Sequence, residues 1–152
     1  MLPLSARLIV EPDDGIEPVR QFINSAQTSL LIKQFTFTEP SLIAAVIDRK
    51  NAGADVRVML NAQRSGGDRA NDDTYEQFQN AGIAVQWSNP KFYVTHEKSI
   101  VVDEKFALIA SFNLMEKYFT ITRDYRQPLP RRADRRCIQR RLGASRLGLQ
   151  CL

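Results

Sequence analysis

The chain has 152 residues, of which 43% are hydrophobic and 25% charged, a balance that fits one globular domain with a real core and excludes two independent ones. No apolar run approaches the roughly 18 residues a membrane span needs, and Met1–Arg7 lacks the basic region and long apolar stretch of a secretory signal, so a cytoplasmic location is expected. The net charge of +4 comes from residues 126–152, where eight Arg face one acid (+7), while residues 1–125 hold 13 Lys and Arg against 16 Asp and Glu (−3); charge therefore does not mark the body as a nucleic-acid binder.

Arg7–Val10 is a short strand candidate. Asp14-Gly15-Ile16-Glu17 has the pattern of a capping box opening a helix with Ile16, Val19, Phe22, Ile23 and Ala26 on one face, and Pro18 suits its first turn. Ser29–Phe35 is a nearly continuous apolar run, the mark of a strand covered on both faces. A second helix begins near Pro40, turns Leu42, Ile43, Val46 and Ile47 inward and stops at Gly53; Val56, Val58 and Leu60 then alternate as a strand. After a polar loop over 63–68, a helix runs from Asp72 to Gly82 with Tyr75 and Phe78 buried, and Ile83–Trp87 follows as a strand. Lys98–Val102 and Phe106–Ser111 are strands joined by a turn too short for a helix, hence an antiparallel hairpin. The expected fold class is α/β, a mixed β-sheet layered between helices.

Residues 126–152 differ in kind, with Pro128, Pro130 and clustered arginines. They are expected to be disordered or non-native in origin, leaving 1–125 as the domain. Both cysteines, Cys137 and Cys151, fall in this segment, so they cannot bind a metal within the body.

His96 is the only histidine. Residues two apart on a strand share a face, so His96 and Lys98 project together, and Lys98 can hold an anion before the imidazole. A two-residue turn at Glu104-Lys105 would set Ser111 opposite Lys98 and Asn113 opposite His96, all four on one face; a three-residue turn would invert that relation. Asp103 has the wrong parity for that face and reads as ending the strand or fixing the turn. The set suits attack on phosphorus by a neutral imidazole, with Lys98, Ser111 and Asn113 stabilising the non-bridging oxygens. No carboxylate cluster for Mg²⁺ accompanies it, and one His without a usable Cys argues against zinc; no metal or other cofactor is expected. Asp124 is the acid best placed to orient the second imidazole nitrogen.

His96-x-Lys98-x-x-x-x-Asp103 followed by Ser111-x-Asn113 resembles the HKD motif of the phospholipase D superfamily, over roughly residues 5–125 and including Gly53–Asn61. That family includes phospholipases D, cardiolipin and phosphatidylserine synthases, and small one-motif endonucleases. The resemblance implies a catalytic set of His96, Lys98, Asp103 and Asp124: a phosphohistidine at His96, phosphate binding by Lys98 and Asn113 with help from Ser111, and orientation of His96 by Asp124. Family members usually carry Gly where Ala110 stands and often Glu where Asp124 stands. They also continue into a strand and a helix that the arginine-rich segment does not offer, so the sheet edge there is expected to be exposed.

The family site uses two histidines, so a chain with one is expected to act as a homodimer that brings two copies of His96 together. The reading that follows is a metal-independent phosphodiesterase acting on phospholipids by hydrolysis or headgroup transfer, with a dimeric endonuclease on DNA or RNA and an inactive fragment of a two-motif enzyme as alternatives. Gly66-Gly67 lacks the Gly-Lys-Ser or Gly-Lys-Thr ending of a phosphate loop and reads as a mobile connection. Trp87, Phe92 and Tyr93 could line an acyl or base pocket or simply pack in the core.

Overall fold

The computed structural model describes residues 8–64 and 66–130. In chain order the elements are β1 (Ile9–Glu11), α1 (Glu17–Asn24), β2 (Ser29–Gln34), α2 (Pro40–Asn51), β3 (Asp55–Leu60), α3 (Asp72–Asn80), β4 (Ala84–Trp87), β5 (Lys98–Val102), β6 (Phe106–Ala110), α4 (Glu116–Thr120) and β7 (Asp124–Pro130). The seven strands form one mixed sheet in the order β1-β7-β6-β5-β2-β3-β4, with β2, β3 and β4 parallel and β5 and β6 antiparallel to their neighbours.

Strand alternation divides the sheet's apolar residues between its faces. Leu30, Ile32, Val56, Val58, Leu60, Ile100, Val102 and Leu108 enter the main core, where they meet Val19 and Ile23 of α1, Leu42 and Val46 of α2, Phe78 of α3 and Phe119 of α4. Leu31, Met59, Val101 and Ala107 form a smaller cluster on the opposite face. Burial on both faces explains the apolar run Leu30-Leu31-Ile32, and it extends to the polar Lys33 and Gln34 at the end of β2.

Four local expectations are corrected. The capping box does not form: Ile16 occupies the N-cap of α1 without a side-chain bond, Asp14 instead accepts from the Val10 N–H at 2.8 Å, and Glu17 pairs with Arg20. The short helix α4 carries no long periodic pattern and was not expected. Residues 126–130, placed in the disordered tail, continue β7, which pairs with β6 along its length and with β1 at Asp124–Arg126. Pro128 and Pro130 lie beyond the last residue paired to β1, where a strand tolerates a missing N–H. The edge of β6 is thus covered by β7. The remainder of the arginine-rich segment, 131–152, with both cysteines, lies outside the described residues.

The fourth correction concerns the hairpin. Its turn has three residues, Asp103-Glu104-Lys105, and the ladder pairs Val102 with Phe106 and Ser99 with Ile109. Asp103 and Glu104 adopt φ of 50° and 55°, a left-handed conformation that Asp tolerates better than most residues. Asp103 is held there by its side chain, which accepts from the N–H groups of Gln27, Thr28 and Ser29 and from the Thr28 hydroxyl at 2.7–3.2 Å. Partial burial alone would raise its pKa, but the donors from Ser29, Thr28 and Gln27 prevail and hold the carboxyl below its ordinary value.

A depressed carboxyl pKa contributes stability above the unfolded-state pKa that is lost as pH falls through the folded-state value. Asp103→Asn is therefore expected to destabilise the protein at neutral pH by about 1–2 kcal/mol, discounted for exposure. The difference from wild type should shrink between about pH 5 and pH 2. Thermal melts across that range check it, and a difference independent of pH would contradict the role given to the carboxylate.

Candidate active site

Strand directions bring the chemically capable residues to one end of the sheet. The C-terminal ends of β1, β2, β3 and β6 lie there with the N-terminal ends of β5 and β7, which gathers Glu11, Gln34, Phe35, Asn61, His96, Lys98, Ser111, Asn113 and Asp124. Asp103, expected as part of the catalytic set, sits at the opposite end with its carboxylate engaged by residues 27–29.

His96 is exposed, whereas Lys98 is 5% exposed. The intervening Glu97 turns to the other face, where it accepts from Lys33 Nζ at 2.6 Å and from Ser99 Oγ at 2.8 Å. That anchor fixes the parity that sends His96 and Lys98 to the site face. Lys98 Nζ stands 3.2 Å from His96 Nδ1 and 3.1 Å from Nε2, donates to the His96 carbonyl at 3.2 Å, and lies 5.2 Å from the centre of the Phe35 ring. The in-plane lone-pair directions of two imidazole nitrogens diverge, so an ammonium equidistant from both cannot bond well to either. It acts as a charge set against the ring. Phe35 supports the imidazole from another side, with ring centroids 4.6 Å apart.

Although His96 as a whole is exposed, partial desolvation of its ring first, and the Lys98 charge second, lower the His96 pKa, which favours the neutral imidazole that a nucleophile requires. Burial also lowers the Lys98 pKa, opposed by the Asp124 carboxylate.

The three-residue turn shifts the expected register by one. Continuing the ladder sets Lys98 opposite Ala110 and His96 opposite Phe112, in place of Ser111 and Asn113. Ser111 and Asn113 instead reach this end of the sheet after β6 stops. There Leu114 forms a parallel bridge with Phe37, donates its N–H to the Thr36 carbonyl at 3.0 Å and accepts from Thr38 and Glu39. Asn113 is buried, with Nδ2 donating to the Tyr118 hydroxyl at 3.3 Å. Asp124 was expected to orient His96; it accepts from Ser111 Oγ at 2.7 Å, and the imidazole nitrogens face Lys98. The short Asp side chain thus holds Ser111 and contributes charge to Lys98.

Two residues with structural leverage on the site were not among the expected site residues. Asn71 Oδ1 accepts from the Phe37 N–H, and its Nδ2 donates to the carbonyls of Phe35 and Asn61. Asn61 Oδ1 accepts from the Thr95 N–H at 2.9 Å and from Ser88 Oγ at 3.4 Å. Together they tie the end of β2, the start of α3 and the segment before His96 into one hydrogen-bonded unit. Nothing short of the three-dimensional fold joins positions this far apart. Gln34 Oε1, Thr36 Oγ1 and Asn113 Oδ1 are buried here with no hydrogen-bond partner among the described residues, a concentration of polar atoms that folding alone would avoid. Among the described residues no three His, Cys, Asp or Glu side chains converge as metal ligands.

Residues 19–126 match the family model described as cardiolipin synthase, PLD-like domain. The crystal structure of Nuc from Salmonella typhimurium, a phospholipase D family member, is similar with a TM-score of 0.79 and 24% identity over 93% of this chain and 95% of that one. NucT from Helicobacter pylori has a TM-score of 0.67 and 15% identity over 91% of each chain. Phosphatidylserine synthase from Haemophilus influenzae Rd KW20 has a TM-score of 0.68 and 15% identity over 91% of this chain and 38% of that one. Comparison with curated proteins finds no match.

The single imidazole gives an unambiguous titration by NMR. Its pKa is expected below the usual histidine value, and Lys98→Met should raise it only part of the way back, because the larger cause, partial desolvation of the ring, remains. No rise in the variant would contradict the contact between ammonium and ring.

Proposed function

This chain belongs to the phospholipase D-like domain family, and on that premise we propose that it is a metal-independent phosphodiesterase working through a phosphohistidine at His96, with phosphatidyl groups of phospholipids as substrate. The observation that carries the reading is the exposed His96 imidazole held against the buried Lys98 ammonium. A neutral ring nitrogen attacks phosphorus, the bond to the leaving oxygen breaks, and the added charge on the non-bridging oxygens is stabilised by Lys98 with Ser111 and Asn113. The leaving oxygen takes a proton from the His96 of a second copy brought across a two-fold axis. Water, or an alcohol in headgroup transfer, then gives a proton back to the His96 of the second copy as its oxygen displaces the first, which restores the free imidazole.

Support for a lipid substrate comes from the net charge of −3 on residues 1–125, which gives no basic track for a nucleic acid. The one-motif chain favours a second reading, a dimeric endonuclease, and both use the same phosphoryl chemistry.

Headgroup release from phosphatidylcholine vesicles and nicking of plasmid DNA, both in EDTA, separate the two. Wild type is expected to release headgroup in EDTA, and His96→Asn to lose about 10³-fold or more. Faster nicking than headgroup release would select the nucleic-acid reading, and loss of wild-type activity in EDTA would contradict both. A strictly monomeric mass in solution would contradict the two-copy site and support an inactive fragment.

A further inference from the structure

Phe92 and Tyr93 do not pack in the core. They are 53% and 86% exposed, and Ile121 is 81% exposed. Phe92 and Tyr93 stand on the loop between β4 and β5, four and three residues before His96; Ile121 stands three residues before Asp124, where the chain enters β7. Both loops border the same end of the sheet, and β5 and β7 are two strand spacings apart, about 9–10 Å. Three large apolar side chains thus flank the candidate site. The other exposed large hydrophobics among the described residues, Leu8 and Phe106, lie at the opposite ends of β1 and β6.

The first loop is held in a defined shape. Asn61 Oδ1 accepts from Ser88 and Thr95 at its two feet, and at its tip Asn89 Oδ1 accepts from the Lys91 N–H while the Asn89 carbonyl accepts from the Phe92 N–H. A tethered loop displaying two adjacent aromatics to water is not explained by packing. Its neighbour Lys91 is exposed and has no ion pair among the described residues.

Resting on the phospholipid reading above, we propose that Phe92, Tyr93 and Ile121, with Lys91, form a rim that inserts into the interface of a phospholipid bilayer and brings His96 to the level of the headgroup phosphates. Aromatic side chains combine an apolar body with tolerance for the polar headgroup region, and a flanking Lys attracts anionic headgroups. Aromatics alone would equally suit base stacking. Ile121 has no π-face to stack and yet is 81% exposed beside the same site; insertion into a bilayer accounts for it and base stacking does not.

The test is a Phe92→Ala, Tyr93→Ala, Ile121→Ala triple variant of the full chain. It is read by co-sedimentation with phosphatidylglycerol–phosphatidylcholine vesicles, by turnover of the vesicle lipid and of soluble bis(p-nitrophenyl) phosphate, by binding of a fluorescent single-stranded oligonucleotide, and by solution mass. Vesicle partitioning and vesicle turnover are expected to fall by about tenfold or more, with soluble-diester turnover, oligonucleotide binding and mass unchanged. Unaltered vesicle partitioning overturns the proposal. So does loss of oligonucleotide affinity, which assigns the rim to nucleic acid, or a change in mass, which assigns it to a second copy. Sedimentation does not depend on turnover, so an inactive wild type that still binds vesicles through the rim would sink the enzymatic reading and leave this one standing.

Discussion

A lysine ammonium taken out of bulk water governs the geometry of this site. Lys98 lies near the start of a central strand and is almost fully buried, and desolvating a charge of that size is expensive unless its surroundings compensate. Here the compensation is the His96 carbonyl, the nearby imidazole nitrogens, the face of the Phe35 ring and the attraction of Asp124. None of these neutralises it by direct ion pairing. The charge is therefore held ready for an incoming anion, and the same charge helps to keep the imidazole beside it unprotonated.

The rest of the sheet serves that placement. Glu97, fixed to Lys33 and Ser99 on the far face, sets which way its two neighbours point. Asn61 and Asn71 bind the ends of β2 and β3 to the segment before His96, so Phe35 and His96 meet at a fixed angle. At the other end of β5, Asp103 locks the hairpin turn onto the loop before β2. One residue of the motif therefore contributes through the frame, some five residues along the strand from the chemistry.

Much of this was legible in the sequence for a physical reason. The apolar run Leu30–Ile32 of β2, the Pro40 start of α2 and the positions of α3, β5 and β6 follow from period and from turn residues, which are local. The alternation in His96-x-Lys98 correctly placed both on one face. The turn length was not legible, because Asp103 and Glu104 occupy left-handed backbone without a glycine to announce it, and a change of one residue moved Ser111 and Asn113 out of their expected rungs. The continuation of β7 through Pro128 and Pro130 was hidden for a similar reason: proline forbids a strand only where a partner needs its N–H. The Asn61–Asn71 network and the exposed rim depend on tertiary placement, and no spacing rule encodes them.

The central claim is a covalent bond from one imidazole to phosphorus. Rapid quench of a single turnover in alkaline denaturant, with mass spectrometry of the peptide carrying His96 and ³¹P NMR of the denatured protein, tests it directly. The account predicts an acid-labile phosphoryl adduct on His96 that forms and decays at rates matching turnover. Product formation by wild type at full rate with no adduct at that residue, under conditions that preserve a phosphohistidine standard, would contradict it.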